Sequence, residues 1–274
     1  MQRHALFAAM LTAGLLAACG GGGGDSDTPT PVTPASVSVT GVAAKGLMRD
    51  AKVTAHAIKA DGSIDETPLG EPVYTDANGN YTLSFPGSAG QPYVVRVQAV
   101  NEGGRNTKHL DEASGVEQAL PAGFAMRAVI TPTAASEGTV TTSASVTPFS
   151  ELAAAAAAKA SGGVTSANVA QAVTTVTTLL GFDPASVVVK APGTEGATGE
   201  QKKLALMLTA VSKLADDSAL SGSLGCSGDD AGARTRCVVE KLAESATATS
   251  IKLASGSVDV SNVLTQAVDA VLAD

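Results

Sequence analysis

The sequence predicts an α+β, multidomain chain in which a β-sandwich over residues 36–146 precedes a helical bundle over residues 147–274. Three observations predict it. From Val37 to Val100 apolar residues alternate singly with polar ones, the period of a half-buried strand, with turn residues between the runs. After Thr147 the apolar spacing changes to three and four, the period of an amphipathic helix. Ahead of both, residues 1–35 hold an apolar run and then a Gly/Pro-rich stretch that cannot bury apolar surface.

The first eighteen residues have the layout of a secretory signal peptide. Arg3 and His4 form a short basic start, Ala5 to Leu16 is apolar except for Thr12 and Gly14, and the small Ala17 and Ala18 precede Cys19. The run is shorter than the roughly 20 residues a bilayer-spanning helix needs. Leu16-Ala17-Ala18-Cys19 resembles the lipobox of bacterial lipoproteins. The resemblance implies that the Cys19 thiol carries diacylglycerol, that the peptide is cut before it, and that the new amine is acylated. Each buried CH₂ contributes ~0.8 kcal/mol, so one chain binds marginally and two or three hold firmly. Gly20 is not the aspartate that favours inner-membrane retention in enteric lipoproteins, so the resemblance implies an outer-membrane lipoprotein facing the periplasm or the cell surface. Residues 19–35 read as a tether, Gly20 to Gly24 flexible and Pro29, Pro31 and Pro34 stiffer.

The full chain has 18 Lys and Arg against 26 Asp and Glu, a net charge of −8, which becomes −9 once Arg3 leaves. An acidic surface without a Lys/Arg run repels phosphate backbones, which excludes nucleic acid as a partner. With no Trp and few aromatics, the core must be close-packed small aliphatics. If Cys19 is lipidated, Cys226 and Cys237 remain as a pair in an exported protein, where disulfides persist. A two-cysteine metal site is the competing assignment. It lacks a nearby His, and Asp229 and Asp230 are poor partners for zinc.

Within the β region, Val37 and Val39 alternate with Ser. Val53, Ala55 and Ala57 alternate with Thr54 and His56, so His56 is expected on the outward face. Tyr81-Leu83-Phe85 and Val95-Val97-Ala99 follow the same period. Asp61-Gly62 and Asn78-Gly79 read as hairpin-type turns, because each needs a positive φ that Gly or Asn tolerates.

Gly41-Val42-Ala43 with Gly46, then Asp50-Ala51-Lys52-Val53, then Tyr74-Thr75-Asp76-Ala77-Asn78-Gly79-Asn80-Tyr81 resembles the carboxypeptidase-regulatory-like domain. The usual Pro after the first turn is replaced by Leu47-Met48. The resemblance implies an immunoglobulin-like or transthyretin-like sandwich. It also implies a non-catalytic role as a spacer, adhesion or carbohydrate-binding module. Asp76, Asn78 and Asn80 have calcium-loop spacing, but Gly87 stands where the twelfth-position acid belongs, so they read as turn residues that cap their own backbone.

Asn101 to Ala122 is polar with sparse apolar points at Leu110, Val116 and Leu120. It reads as a long loop and as the segment that contacts a partner. Ala125 to Thr131 and Thr139 to Val146 read as two further strands.

Thr147-Pro148 is an N-cap followed by Pro at the first helical position, and Leu152 to Lys159 is almost pure Ala. Val146 to Ala153 also resembles the start of helical regions that follow such sandwiches in bacterial surface lipoproteins. A second helix carries Val169, Ala172, Val173, Val176, Leu179 and Leu180 on one face and ends at Gly181. A third carries Leu204, Met207, Leu208, Val211, Leu214 and Ala215, and a fourth Val238, Val239, Leu242, Ala243 and Ala246. A last one starts near Asn262. The cysteine pair is expected to staple the connection between the third and the fourth. Amphipathic helices with single stripes must bury them against one another.

Catalytic constellations are sparse. Beyond the signal segment the histidines are His56 and His109. His109 with Asp111 and Glu112 is a candidate His/carboxylate metal group that still needs a further ligand, so no metal or cofactor is expected. Gly-x-Ser-x-Gly elbows, phosphate loops and dinucleotide fingerprints in the required context are absent from the sequence. Glu66 with Glu71, and Asp216 with Asp217, read as solvated surface acids rather than acid/base pairs. The expectation is a non-catalytic, membrane-anchored binding, adhesion or structural module with a glycan or envelope-protein partner. The alternative is an envelope enzyme or accessory subunit with its site in 101–122 or in a cleft between sandwich and bundle.

Overall fold

A computed structural model of the chain describes residues 36–133, 138–191, 194–246, 254–255, 258–259 and 266. Cys19, the signal segment, the tether and, apart from Gln266, the expected last helix lie outside the described residues. The elements are β1 (Ser36–Val42), β2 (Met48–Arg49), β3 (Lys52–Ile58), β4 (Ile64–Tyr74), β5 (Asn80–Pro86) and β6 (Tyr93–Gln98). Then come β7 (Asn101–Glu102), β8 (Arg105–Asn106), β9 (Lys108–Leu110), β10 (Glu117–Ala119), β11 (Ala125–Ile130) and β12 (Thr139–Ser143). The helices follow: α1 (Pro148–Lys159), α2 (Ser166–Leu180), α3 (Gly199–Asp216), α4 (Ser218–Ser223) and α5 (Ala231–Ser245). Two short strands, β13 (Ala254–Ser255) and β14 (Val258–Asp259), pair with each other. Twelve strands ahead of the helices, with the β13–β14 pair after them, make this an α+β protein.

Two larger sheets carry the strand region, in the orders β12-β1-β5 and β11-β6-β3-β4. The alternation that marks β5 in sequence is complete in space: Tyr81, Leu83 and Phe85 are buried while Asn80, Thr82, Ser84 and Pro86 are exposed. Burying each such large apolar side chain is worth roughly 1.5–3 kcal/mol. Val37 and Val39 of β1, Val95 and Val97 of β6 and Met126 of β11 join them in one core. β1 and β12 run parallel, and β1 and β5 antiparallel. The Asp61-Gly62 turn does join a hairpin, β3 to β4, with Gly62 at φ +80°. Asn78-Gly79 does something else. β4 and β5 belong to different sheets, and this turn carries the chain from one sheet to the other.

His56 corrects the sequence reading. It is buried, 2% exposed, because β3 is covered on both faces. The β3–β6–β11 register puts Thr54, Arg96 and Arg127 side by side on the second face, and α1 packs against β11 there. Arg127 pairs with Glu151 of α1, its Nε lying 3.0 Å from Glu151 Oε2, and the Arg127 main-chain N–H donates to the same oxygen over 2.7 Å. Burial works against the charge on Arg127, but Glu151 outweighs it and raises the guanidinium above its ordinary pKa. His56 is satisfied locally. Its Nδ1 lies 2.8 Å from the Asp65 carbonyl, which can only accept, so Nδ1 carries the proton and Nε2 accepts from Thr54 Oγ1 at 2.9 Å.

The helices cap as the sequence implies. Thr147 Oγ1 accepts from Ser150 N and the Ser150 hydroxyl accepts from Thr147 N, a reciprocal capping box ahead of Pro148. The alanines of α1 are buried nearly all round, which only small side chains allow where β11, α2 and α5 press in together. Lys159, at the end of α1, donates to the carbonyls of Ala243, Glu244 and Ala246 and so satisfies the C-terminus of α5. α2 buries Val169, Ala172 and Val176 and ends at Gly181 in the left-handed region, but Leu179 is largely exposed, at the margin of the stripe rather than within it. Strand and helix residues belong to one hydrophobic cluster, and the described residues fall in one compact unit.

Candidate functional site

Residues 101–122, expected as a loop, are largely short strands. β7 and β8 form a hairpin, and β9 pairs with both β10 and β2 in a small third sheet. This sheet turns His109 and Asp111 inward, where both are buried. Facing them is Lys45, on the turn between β1 and β2, with its side chain 0% exposed. The structure therefore assembles a charged cluster inside the protein from three distant stretches of chain.

Lys45 Nζ donates to Glu112 Oε2 over 3.1 Å and to Ser212 Oγ of α3 over 2.6 Å, and lies 3.8 Å from Asp111 Oδ2. Ser212 Oγ donates to Glu112 Oε2 over 2.7 Å, and Glu112 N donates back to that hydroxyl over 3.3 Å. The other Glu112 oxygen accepts from Gly46 N. Gly46 has a φ of +65°, and a Cβ there would collide with the Leu110 carbonyl and crowd His109 Nδ1, so the turn needs glycine. Asp111 Oδ1 accepts from Ser114 N, Ala113 N and Ser114 Oγ, closing the turn between β9 and β10.

Electrostatics follow from this packing. Burial pushes the Asp111 carboxyl up, but Lys45, Ser212 and Ser114 together outweigh it and hold it below the usual carboxylate value. Burial, and then the charge of Lys45, drop His109 to about 4, so its ring is neutral. Neither ring nitrogen of His109 makes a hydrogen bond, and neither does Asp111 Oδ2. Asp216, near the end of α3, is raised by its own burial and by the neighbouring negative charge of Asp111.

Beside the cluster lies a recess of about 230 Å³, lined by Leu47, Leu110, Val189 and Leu208, with Asp111 and Glu112 at its wall. Leu110 is 44% exposed and Val116 57% exposed on the β9–β10 segment.

Other sequence candidates fall elsewhere. Asp76 accepts from the main chain of Asn78 and Asn80 and from Asn80 Nδ2, so these residues close their own turn. Glu66 pairs with Arg96 over 2.7 Å at the surface, and Glu71 is exposed. Asp216 and Asp217 separate: Asp217 caps α4 by accepting from Ala219 N and Leu220 N, while Asp216 faces Asp111. The sulfurs of Cys226 and Cys237 are at disulfide distance, with Cα atoms 5.6 Å apart. Cys237 sits within α5 rather than in the connection, so the bridge ties the α4–α5 link to the body of that helix.

The sequence reading missed Lys45 and Ser212. Both had a signal: Lys45 is a lone charge inside Val42-Ala43-Ala44-Lys45-Gly46-Leu47-Met48, and Ser212 continues the Leu204–Leu208 row of the α3 stripe at the same spacing of four. No protein family matches this chain, and no curated protein or solved structure is similar to it. Among the described residues no helix is long and apolar enough to cross a membrane.

Proposed function

We propose that the chain is a non-catalytic envelope lipoprotein, held to the outer membrane by a lipid on Cys19, whose strand and helix regions together form a binding or structural module. In this reading the strands make an immunoglobulin-like sandwich and the helices a small bundle. The two larger sheets, whose inward residues share one core, support the first assignment, and the packing of α1 against α2 and α5 and of α3 against α5 supports the second.

One observation carries the non-catalytic reading: His109 and Asp111 are buried, and Glu112, half-buried at the wall of the recess, is bonded to Lys45 and Ser212. A general acid or base must reach the proton it moves, and buried groups locked by a lysine are placed for structure instead. The partner-contact role moves to the outer side of the same segment, where Leu110 and Val116 are exposed beside the apolar recess.

The experiment has two parts. The intact mass and detergent partitioning of the native protein are compared with those of Cys19→Ala. Acyl mass on the wild type and a soluble variant support the anchor, and equal solubility without added mass refutes it. Envelope glycans and proteins are then captured on wild type and on Leu110→Ser/Val116→Ser. Capture lost in the double variant supports the module, and hydrolysis of an envelope substrate, abolished by Glu112→Gln, would refute the non-catalytic reading.

A further inference from the structure

We propose that His109, Asp111 and Glu112 bind a zinc-class divalent cation, a structural ion that clamps the β9–β10 segment against α3. A ligand atom from each of the three side chains lies within 4.8 Å of the other two. A tetrahedral site with bonds of about 2.0–2.2 Å sets its ligands ~3.4 Å apart, so the trio must close by at most ~1.4 Å. Side-chain rotations on a short hairpin supply such a movement.

What separates this cluster from an ordinary group of acids is His109. Its ring is 0% exposed, it lies against two carboxylates, and neither nitrogen makes a hydrogen bond of good geometry, although the Lys45 main chain lies close to the ring. Asp111 Oδ2 is in the same condition. Buried polar atoms are nearly always paired, and a group left over in the interior calls for an explanation. An ion accepting a lone pair from the imidazole and one from Asp111 Oδ2 satisfies both atoms at once. A mixed nitrogen and carboxylate donor set suits zinc and its first-row neighbours, whereas calcium takes six to eight oxygens.

Two acidic side chains, Asp111 and Glu112, share the lysine bonded within the cluster. Lys45 need not leave: it keeps Ser212 and Glu112 Oε2, while the ion takes His109 and Asp111 Oδ2, which lies 3.8 Å from Lys45 Nζ without a hydrogen bond. Glu112 completes the trio through a second lone pair on a carboxylate oxygen. The apolar recess, walled in part by Asp111 and Glu112, provides the way in. The site does not depend on the lipid anchor, so either proposal can fail without the other.

The test uses the full chain with its disulfide intact and with Cys19→Ser, which removes the remaining cysteine thiol. After stripping with EDTA, Zn²⁺ binding is measured by equilibrium dialysis, Co²⁺ by its visible absorption, and the melting temperature with and without Zn²⁺. The expected result is one Zn²⁺ per chain, a Co²⁺ spectrum of a nitrogen/oxygen site, and a higher melting temperature with the ion. His109→Leu should fold, since it removes two unpaired buried nitrogens, and should lose all three signals. Asp111→Asn, of nearly the same shape, should weaken Zn²⁺ at least tenfold and serves as the second variant if the leucine chain does not fold. Absence of stoichiometric binding to the parent chain, or affinity unchanged in either variant, would overturn the proposal.

Discussion

Lys45 and Ser212, 167 positions apart in the chain, meet at 2.6 Å with neither side chain exposed to solvent. The contact joins the turn after the first strand to the C-terminal third of α3, and Glu112 closes the triangle from the turn between β9 and β10. Cross-links of this kind are all-or-none, because removing one charge leaves the others desolvated and unpaired.

Lys45→Met should therefore lower the free energy of unfolding by about 3–5 kcal/mol, since Glu112 and Asp111 lose their buried counter-charge. Denaturant titration at pH 7 measures it. Pairing Lys45→Met with Glu112→Gln should recover part of the loss, and strictly additive losses would mean that the two groups do not interact.

Arg127 and Glu151 fasten the four-stranded sheet to α1 through the guanidinium and through the Arg127 main chain. Glu151→Ala leaves a mostly covered guanidinium and a main-chain N–H without their acceptor. It should destabilise by about 2–3 kcal/mol, the scale of hydrogen bonds to charged groups. A melting temperature unchanged within error would show that the contact is dispensable.

His56 titrates below its ordinary value of 6.5, chiefly because burial disfavours the imidazolium. The sign follows from linkage. The unfolded chain takes up this proton first, so the stability His56 contributes is fully present above pH 6.5 and falls as pH drops below it. Ring-proton NMR across pH 4–8 should place the His56 midpoint below 6.5. A midpoint above that value would mean that the ring is charged and that the Asp65 and Thr54 contacts are misassigned.

The Cys226–Cys237 bridge closes a loop of sequence separation 11. Chain-entropy reasoning puts its stabilisation near 3 kcal/mol, mostly by restricting the unfolded chain. Cys226→Ser/Cys237→Ser should lose about that much by denaturant titration while α5 keeps its helical signal. A loss below about 1 kcal/mol would place the benefit elsewhere.

Local chemistry made much of the architecture legible. The strict alternation of Tyr81, Leu83 and Phe85 needs nothing but a two-residue period to specify which face is buried, and β5 obeys it. Thr147-Pro148 and Gly181 mark helix ends because capping is settled within a few residues. The cysteine pairing was readable because the export reading leaves two thiols close in sequence. Each of these interactions is complete within a short stretch, so the residues that make it can be read together.

The rest depended on elements meeting from far apart. His56 reads as outward in β3, yet it is buried with Asp65 of β4 and Thr54 as its partners, and no period within β3 records that cover. Asn78-Gly79 has the residues of a hairpin turn, yet the strands it joins pair elsewhere, because partner choice is set by the whole sheet order. His109, Asp111 and Glu112 were visible as a group, but their condition was not. Lys45 lies 67 positions before Glu112, and Ser212 lies 100 after it. Burial, charge pairing and the unpaired imidazole exist only once the β1–β2 turn, the small third sheet and α3 close together. By itself the sequence determined that a strand region precedes the helices of residues 148–245, the helix ends at Thr147 and Gly181, and the acidic charge, since these rest on neighbours in the chain. The tertiary structure alone decided which charges face inward and what they face, because desolvation and pairing act through space.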